Sequence, residues 1–152
     1  MLLVTGLKVV YQDVILALRG ISFRVPPTGI VALLGANGAG KTTTLRAISG
    51  LLAARDGTIE DGRIELDGRR IDGQGTETIV RLGVAHVPEG RHIFRDLTVH
   101  ENLLVGAYTR RDGPVRADYD RVLAYFPVLA ARRGLPAGYL SGGEQQMLAI
   151  GR

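Results

Sequence analysis

The 152-residue chain contains no cysteine and no tryptophan, and only 5% of its residues are aromatic. Without thiols there is no disulfide framework and no thiolate metal site, and the composition suits a reducing compartment. Aromatic side chains are too few, and too little interleaved with basic ones, for a base-stacking platform on single-stranded nucleic acid. No apolar run approaches the roughly eighteen residues of a membrane-spanning helix. The opening segment, MLLVTGLKVV, lacks the basic leader and clear small-residue cleavage site of a secretory signal. A soluble cytoplasmic protein is therefore expected. The formal net charge is +4, but the arginines are scattered, paired only at Arg69-Arg70, Arg110-Arg111 and Arg132-Arg133. That pattern reads as a solvated surface, and no nucleic-acid partner is expected. With 45% hydrophobic and 22% charged residues and no low-complexity tract, the chain is globular, and its length favours one domain.

Lysine is also scarce. Of 19 basic residues 17 are arginine, and one of the two lysines stands in the segment LLGANGAGKTTTL, residues 33–45. Five apolar or small residues, Ile30 to Leu34, lead into Gly35-x-x-x-x-Gly40-Lys41-Thr42, and helix periodicity follows. This is the phosphate-binding loop in its context of buried parallel strand, glycine-rich turn and helix. Gly35, Gly38 and Gly40 allow backbone conformations closed to other residues, so that successive N–H groups can face an anion at a helix start. Lys41 would reach the β- and γ-phosphates and the Thr42 hydroxyl would ligate Mg²⁺; Asn37, Ala39 and Thr43 complete the cradle.

Around that loop, residues 2–11 and 14–25 read as strands, with a bulge at Gly20. Pro26 to Gly29 is a turn, and the helix after the loop is expected over 41–52. Residues 62–71 read as a hairpin about an Asp67-Gly68 type I′ turn. Asp56, Asp61, Asp67 and Asp72 are read as turn formers. A short helix is expected over 77–82, and Val84 to Val87 as a second buried strand ending at Pro88-Glu89-Gly90. Thr98-Val99-His100-Glu101 is a capping box opening a helix to about Tyr108. Another helix spans 116–131, interrupted near Pro127. A Gly/Pro loop covers 132–139, and Ser141-Gly142-Gly143-Glu144 is a second capping box, opening the last helix. His86, His92 and His100 match no metal spacing and are read as structural or surface residues.

Leu140-Ser141-Gly142-Gly143-Glu144-Gln145-Gln146, about a hundred residues after the phosphate loop, resembles the signature motif of ABC-type ATPases. The resemblance implies an α/β P-loop core with an N-terminal antiparallel β subdomain and a helical subdomain. Residues 1–97 would form the core and β subdomain, 98–139 the helical subdomain, and 140–152 the signature and the start of its helix. It further implies that Ser141, Gly142, Gly143 and Glu144 contact ATP held by a second subunit in a head-to-tail dimer, and that Tyr11 stacks on adenine. Glu89 falls at the Q-loop position, near Mg²⁺ and the attacking water; the family carries Gln there, and this chain has Glu. The stretches His86 to Phe94, Leu97 to Leu103 and Ser141 to Arg152 resemble an ATP-binding subunit of bacterial branched-chain amino acid importers. That implies inner-membrane permease partners, a peripheral place on the inner face of the cytoplasmic membrane, and ATP hydrolysis coupled to import. The cargo rests on resemblance alone. Urea or lipopolysaccharide transport stays open, as does a non-catalytic nucleotide-binding fragment. Relatives acting on ribosomes or DNA usually carry tandem cassettes or charged helical insertions, and neither appears.

In the family the signature helix is followed by an apolar strand ending in Asp-Glu and, later, a histidine. Residues 1–152 contain none of these, so the C-terminal part of the fold is expected to be absent, with Thr42 and Glu89 alone to hold the metal. Because phosphoryl transfer depends on positioning and charge stabilisation, a polypeptide of residues 1–152 is expected to bind ATP weakly at best and hydrolyse none. It should also expose apolar sheet surface and dissolve poorly. In a steady-state assay this polypeptide should show no magnesium-dependent turnover; turnover that Lys41→Ala abolishes would refute the expectation.

Overall fold

The computed structural model describes residues 1–108 and 115–152; the Arg110-Arg111 pair and part of the 98–139 segment lie outside them. The chain forms two compact units, residues 1–86 and 87–152.

The first unit is built on a four-stranded antiparallel sheet of order β2-β1-β3-β4. Its strands are β1 (Leu2–Tyr11), β2 (Ile15–Val25), β3 (Gly57–Leu66) and β4 (Arg69–Arg70). β1 pairs along its length with both β2 and β3, so its backbone groups are satisfied on both edges. Val4, Leu7, Val9, Leu18 and Ile64 are buried from the sheet, together with Ala47 and Ile48 of helix α1 (Lys41–Ile48) and Ile79 of helix α2 (Thr76–Arg81). The step from Val4 to Leu7 breaks simple alternation. Gly6, at φ 58°, absorbs the irregularity, and the register with β2 shifts there.

The expected bulge is present. Leu7 pairs with Ile21 and Lys8 with Arg19, which leaves Gly20 unopposed at φ 100°. Asp67 and Gly68 both have positive φ, as a type I′ turn requires. The strand entering that hairpin, however, begins at Gly57, and Asp61 lies within it as part of a bulge facing Lys8.

Helix α1 stops at Ile48, short of the expected 52. Ser49 is its C-cap and Gly50, at φ 68°, follows in the left-handed region. The Gly50 N–H donates to Ala47 O at 3.3 Å and the Leu51 N–H to Arg46 O at 2.8 Å, a Schellman closure that ends the helix.

The strands expected over 30–34 and 84–87 are not formed. Ile30 is fully exposed and Leu34 is 87% exposed. A buried parallel strand exists only where neighbours accept and donate its backbone hydrogen bonds, and every pairing among the described residues is antiparallel. Apolar residues alone could not create the missing ladder.

The second unit is helical, comprising α3 (Val99–Gly106), α4 (Val115–Tyr125), α5 (Pro127–Ala131) and α6 (Gly142–Gly151), with a 3₁₀ turn at Ala137–Tyr139. Pro127 starts α5 rather than kinking one long helix, because it has no N–H to continue α4. Val99, Leu103, Leu129, Ala137, Leu140 and Leu148 form the core. Asn102 is fully buried beside it and fully employed. Its amide nitrogen donates to Phe94 O (2.9 Å), Leu97 O (3.2 Å) and Thr98 O (3.0 Å), while its oxygen accepts from the Phe94 N–H (2.9 Å). One side chain thereby fixes the loop leading into α3. No helix among the described residues is long and apolar enough to cross a membrane.

At Gly50 an added Cβ would lie 2.8 Å from Ile79 Cδ1 and would occupy a left-handed backbone. Gly50→Ala should therefore lower stability by at least about 1 kcal/mol, read as a fall in the urea midpoint followed by circular dichroism.

Candidate functional site

The candidate site of the first unit is the turn between Gly35 and Lys41. Gly38 (φ 84°) and Gly40 (φ 89°) both occupy the left-handed region. A Cβ on Gly40 would come within 2.4 Å of Leu18 Cδ2 and 3.1 Å of the Ala17 carbonyl, so only glycine lets this turn pack against β2. At Gly35 a Cβ would sit 2.9 Å from the Ala39 Cβ. The Ala39 N–H closes the turn onto Ala36 O at 3.1 Å. Asn37 and Ala39 are exposed along it.

Gly40 is also the N-cap of α1 and supplies no side chain to cap it. The first helical bond is Thr44 N–H to Gly40 O at 2.8 Å, reinforced by the buried Thr44 hydroxyl on the same carbonyl at 2.9 Å. The N–H groups of Lys41, Thr42 and Thr43 precede that bond and have no carbonyl within the helix, at the positive end of its dipole. The Lys41 ammonium donates to Gly35 O and Ala36 O, both at 2.7 Å, and so stands over the same turn. Thr42 is exposed and Thr43 buried. Thr44 did not stand out in the sequence; its spacing of four from Gly40 is the signal that could have found it.

Tyr11, the residue expected against adenine, ends β1. It is half-buried, and its ring lies over Gly57, where a Cβ would meet Cε1 at 2.6 Å. Its hydroxyl is buried without a hydrogen-bond partner among the described residues. Glu89 is exposed in the turn before α3. It belongs to the second unit, whereas Thr42 belongs to the first. Among the described residues no three His, Cys, Asp or Glu side chains gather into a metal cluster.

The candidate site of the second unit is the start of α6. Ser141 is its N-cap, and both limbs of the capping box are made. The Ser141 N–H donates to Glu144 Oε2 at 2.8 Å, and the Glu144 N–H donates to Ser141 Oγ at 3.4 Å. The box uses the amide of Glu144 and leaves those of Gly142 and Gly143 without a helical partner. Ser141 Oγ accepts from the Glu144 N–H in this box, and its own O–H is turned toward the Glu144 carboxylate. The hydrogen bonds from the Ser141 backbone and then its side chain, with Arg132 adding a smaller effect, hold the Glu144 carboxyl below its ordinary range. The capping box of α3 does the same to Glu101, chiefly through the Thr98 side chain. Beside α6 lies Arg91, whose Nη1 donates to Gln145 Oε1 at 3.0 Å. Neither residue stood out as functional in the sequence, since 54 positions separate them.

A profile of the ABC transporter family matches residues 18–152. The chain belongs to that family. It is 44% identical over 142 residues to the high-affinity branched-chain amino acid transport ATP-binding protein BraG of Pseudomonas aeruginosa, covering 93% of this chain and 59% of the relative. It is 40% identical over 126 residues to the probable branched-chain amino acid transport ATP-binding protein LivF of Archaeoglobus fulgidus, covering 83% of this chain and 51% of that protein. The cassette thus spans half to three-fifths of these relatives' length. Among solved structures it resembles an ATP-binding subunit of an ABC transporter (TM-score 0.80, 31% identity), covering 99% of this chain and 60% of that one. It also shares its fold with a dimeric bacterial ABC transporter cassette (TM-score 0.82, 20% identity), covering 99% and 68% of the respective chains. The fold is the P-loop ATPase cassette, represented by its antiparallel sheet, phosphate loop and helical unit.

The caps generate a pH dependence. The Glu101 and Glu144 carboxyls titrate lower in the folded state, so their contribution is present above the ordinary carboxylate value of 4.5 and is lost as pH falls below it. His86 is pushed down by burial and then by Arg46, so its contribution is present above about 6.5 and is lost below that value. Thermal melts by circular dichroism should therefore weaken from about pH 6.5 downward, with a second fall below about 4.5 that Glu101→Gln and Glu144→Gln reduce.

Proposed function

We propose that the cassette binds ATP through the 35–43 turn and presents Ser141 to a nucleotide held by a second ABC subunit. The observation that carries this reading is the joint placement of the Lys41 ammonium and an uncapped, glycine-led helix start over one turn. That donor set suits the β- and γ-phosphates and has no evident use in holding the sheet together. Lys41 exchanges its two carbonyl partners for phosphate oxygens, while the amides of Lys41, Thr42 and Thr43 orient them. The donor chemistry also fits Mg²⁺: Thr42 offers an exposed hard oxygen beside the phosphates, and Glu89 is a second candidate ligand. When bound, the ion neutralises phosphate charge. Tyr11 supports the adenine base.

In this reading residues 1–152 belong to one ATP-binding domain, with 98–139 its helical subdomain. Gly142 and Gly143 amides and the Ser141 hydroxyl bind the γ-phosphate on the partner subunit, with Glu144 holding the serine in place. Two such cassettes meet head to tail beneath an inner-membrane permease, on the cytoplasmic side, and couple ATP hydrolysis to import. The similarity to BraG and LivF supports a branched-chain amino acid as cargo.

A fluorescent ATP analogue titrated into the whole protein that contains this chain should bind saturably. Lys41→Ala should weaken it by at least about tenfold, the loss of one charge-assisted contact. Equal affinity in the variant would remove the basis for the reading. Recovery with a hydrophobic permease, rather than with ribosomes, checks the transport assignment.

A further inference from the structure

Gly90, Arg91 and His92 have φ of 88°, 65° and 49°, three consecutive residues in the left-handed region. Glycine adopts that backbone freely; arginine and histidine do so only where surrounding contacts hold them. The Gly90 position bears no close neighbour except His92 itself. What the unusual path achieves is the placement of Arg91. Its guanidinium reaches the first turn of α6, where Nη2 would stand 3.0 Å from a Cβ on Gly142 and Nη1 donates to Gln145 Oε1 at 3.0 Å.

Gln145 passes the connection on. Its amide nitrogen donates to Leu140 O at 3.1 Å and to Ala137 O at 3.4 Å. Those two carbonyls border the 3₁₀ turn that delivers the chain to Ser141. A primary amide rotated by half a turn would present its oxygen to the carbonyls and its nitrogen to the guanidinium, like poles at both ends. Arg91 forbids that orientation, because a guanidinium donates only. The small side of Gly142 is the space in which Arg91 sits.

We infer that Arg91 is a positioning residue for the signature tip. It sets the orientation of the Gln145 amide, which in turn fixes the 137–140 turn and the aim of the Ser141 hydroxyl. The consequence for catalysis rests on the reading of Ser141 as a contact to the partner's nucleotide; the consequence for the turn does not.

Two measurements on the whole transporter subunit separate these. In amide hydrogen exchange, Tyr139 and Leu140 should exchange roughly tenfold faster in Arg91→Ala and in Gln145→Ala, and no faster in the double variant, as for residues acting through one connection. Arg91→Lys, which keeps a donor, should restore most of the protection. Unchanged exchange in Arg91→Ala, or effects that add in the double variant, would overturn the inference whatever the nucleotide does. In the ATPase assay of the reconstituted transporter, Arg91→Ala should lower kcat about tenfold and leave KM for ATP within about twofold, with Arg91→Lys again recovering activity. A rise in KM at constant kcat would overturn the positioning role. Should exchange respond while Lys41→Ala leaves nucleotide binding intact, the Arg91 connection stands and the ATP reading fails.

Discussion

Every α-helix begins with backbone N–H groups that its own carbonyls cannot reach, and this cassette is organised by which of them it closes and which it leaves open. At α3 the capping box takes the Glu101 amide, and the Leu135 and Arg133 carbonyls accept from the Val99 and His100 N–H groups, both at 3.0 Å, so the start is closed. At α1 the cap is Gly40, which offers no side-chain acceptor. The amides there stay available, with the Lys41 ammonium beside them. At α6 the arrangement is intermediate: Ser141 and Glu144 close one amide and fix the cap, and the glycines that follow keep theirs free. The same physical deficit is thus closed at one helix start and left open at two others.

Features set by near neighbours were legible in the sequence. Both capping boxes depend on residues three apart, the Asp67-Gly68 turn on two adjacent residues, and the Gly20 bulge on a single glycine in an otherwise regular strand. The phosphate loop was legible for the same reason, since its glycines and lysine lie within seven consecutive residues, 35–41. Features that need a distant partner were not. Ile30 to Leu34 has the composition of a buried strand and lies open because no ladder reaches it. Asp61-Gly62 has the composition of a turn and lies within a strand because β1 pairs across it. Arg91 looks like any surface arginine until its left-handed backbone and its bond to Gln145 are seen together.

Steric fit explains why the glycines of the first unit cannot be read as interchangeable. Gly40 is required by Leu18 of β2, Gly50 by Ile79 of α2, and Gly57 by the Tyr11 ring. These are three close approaches: the glycine-rich turn against β2, the end of α1 against α2, and the start of β3 against the Tyr11 ring. Thus the position of the phosphate turn is inherited from side chains that never touch phosphate.

The topology of that sheet carries one more consequence. The chain departs from β2 at Val25 and returns in β3 at Gly57, and both strands flank β1. The segment that carries the glycine-rich turn is therefore a closed excursion whose two ends are clamped to one shared strand. A protease cut at the open Ile30–Leu34 stretch would sever the backbone yet leave each fragment hydrogen-bonded to β1, so the nicked chain would travel as a single body.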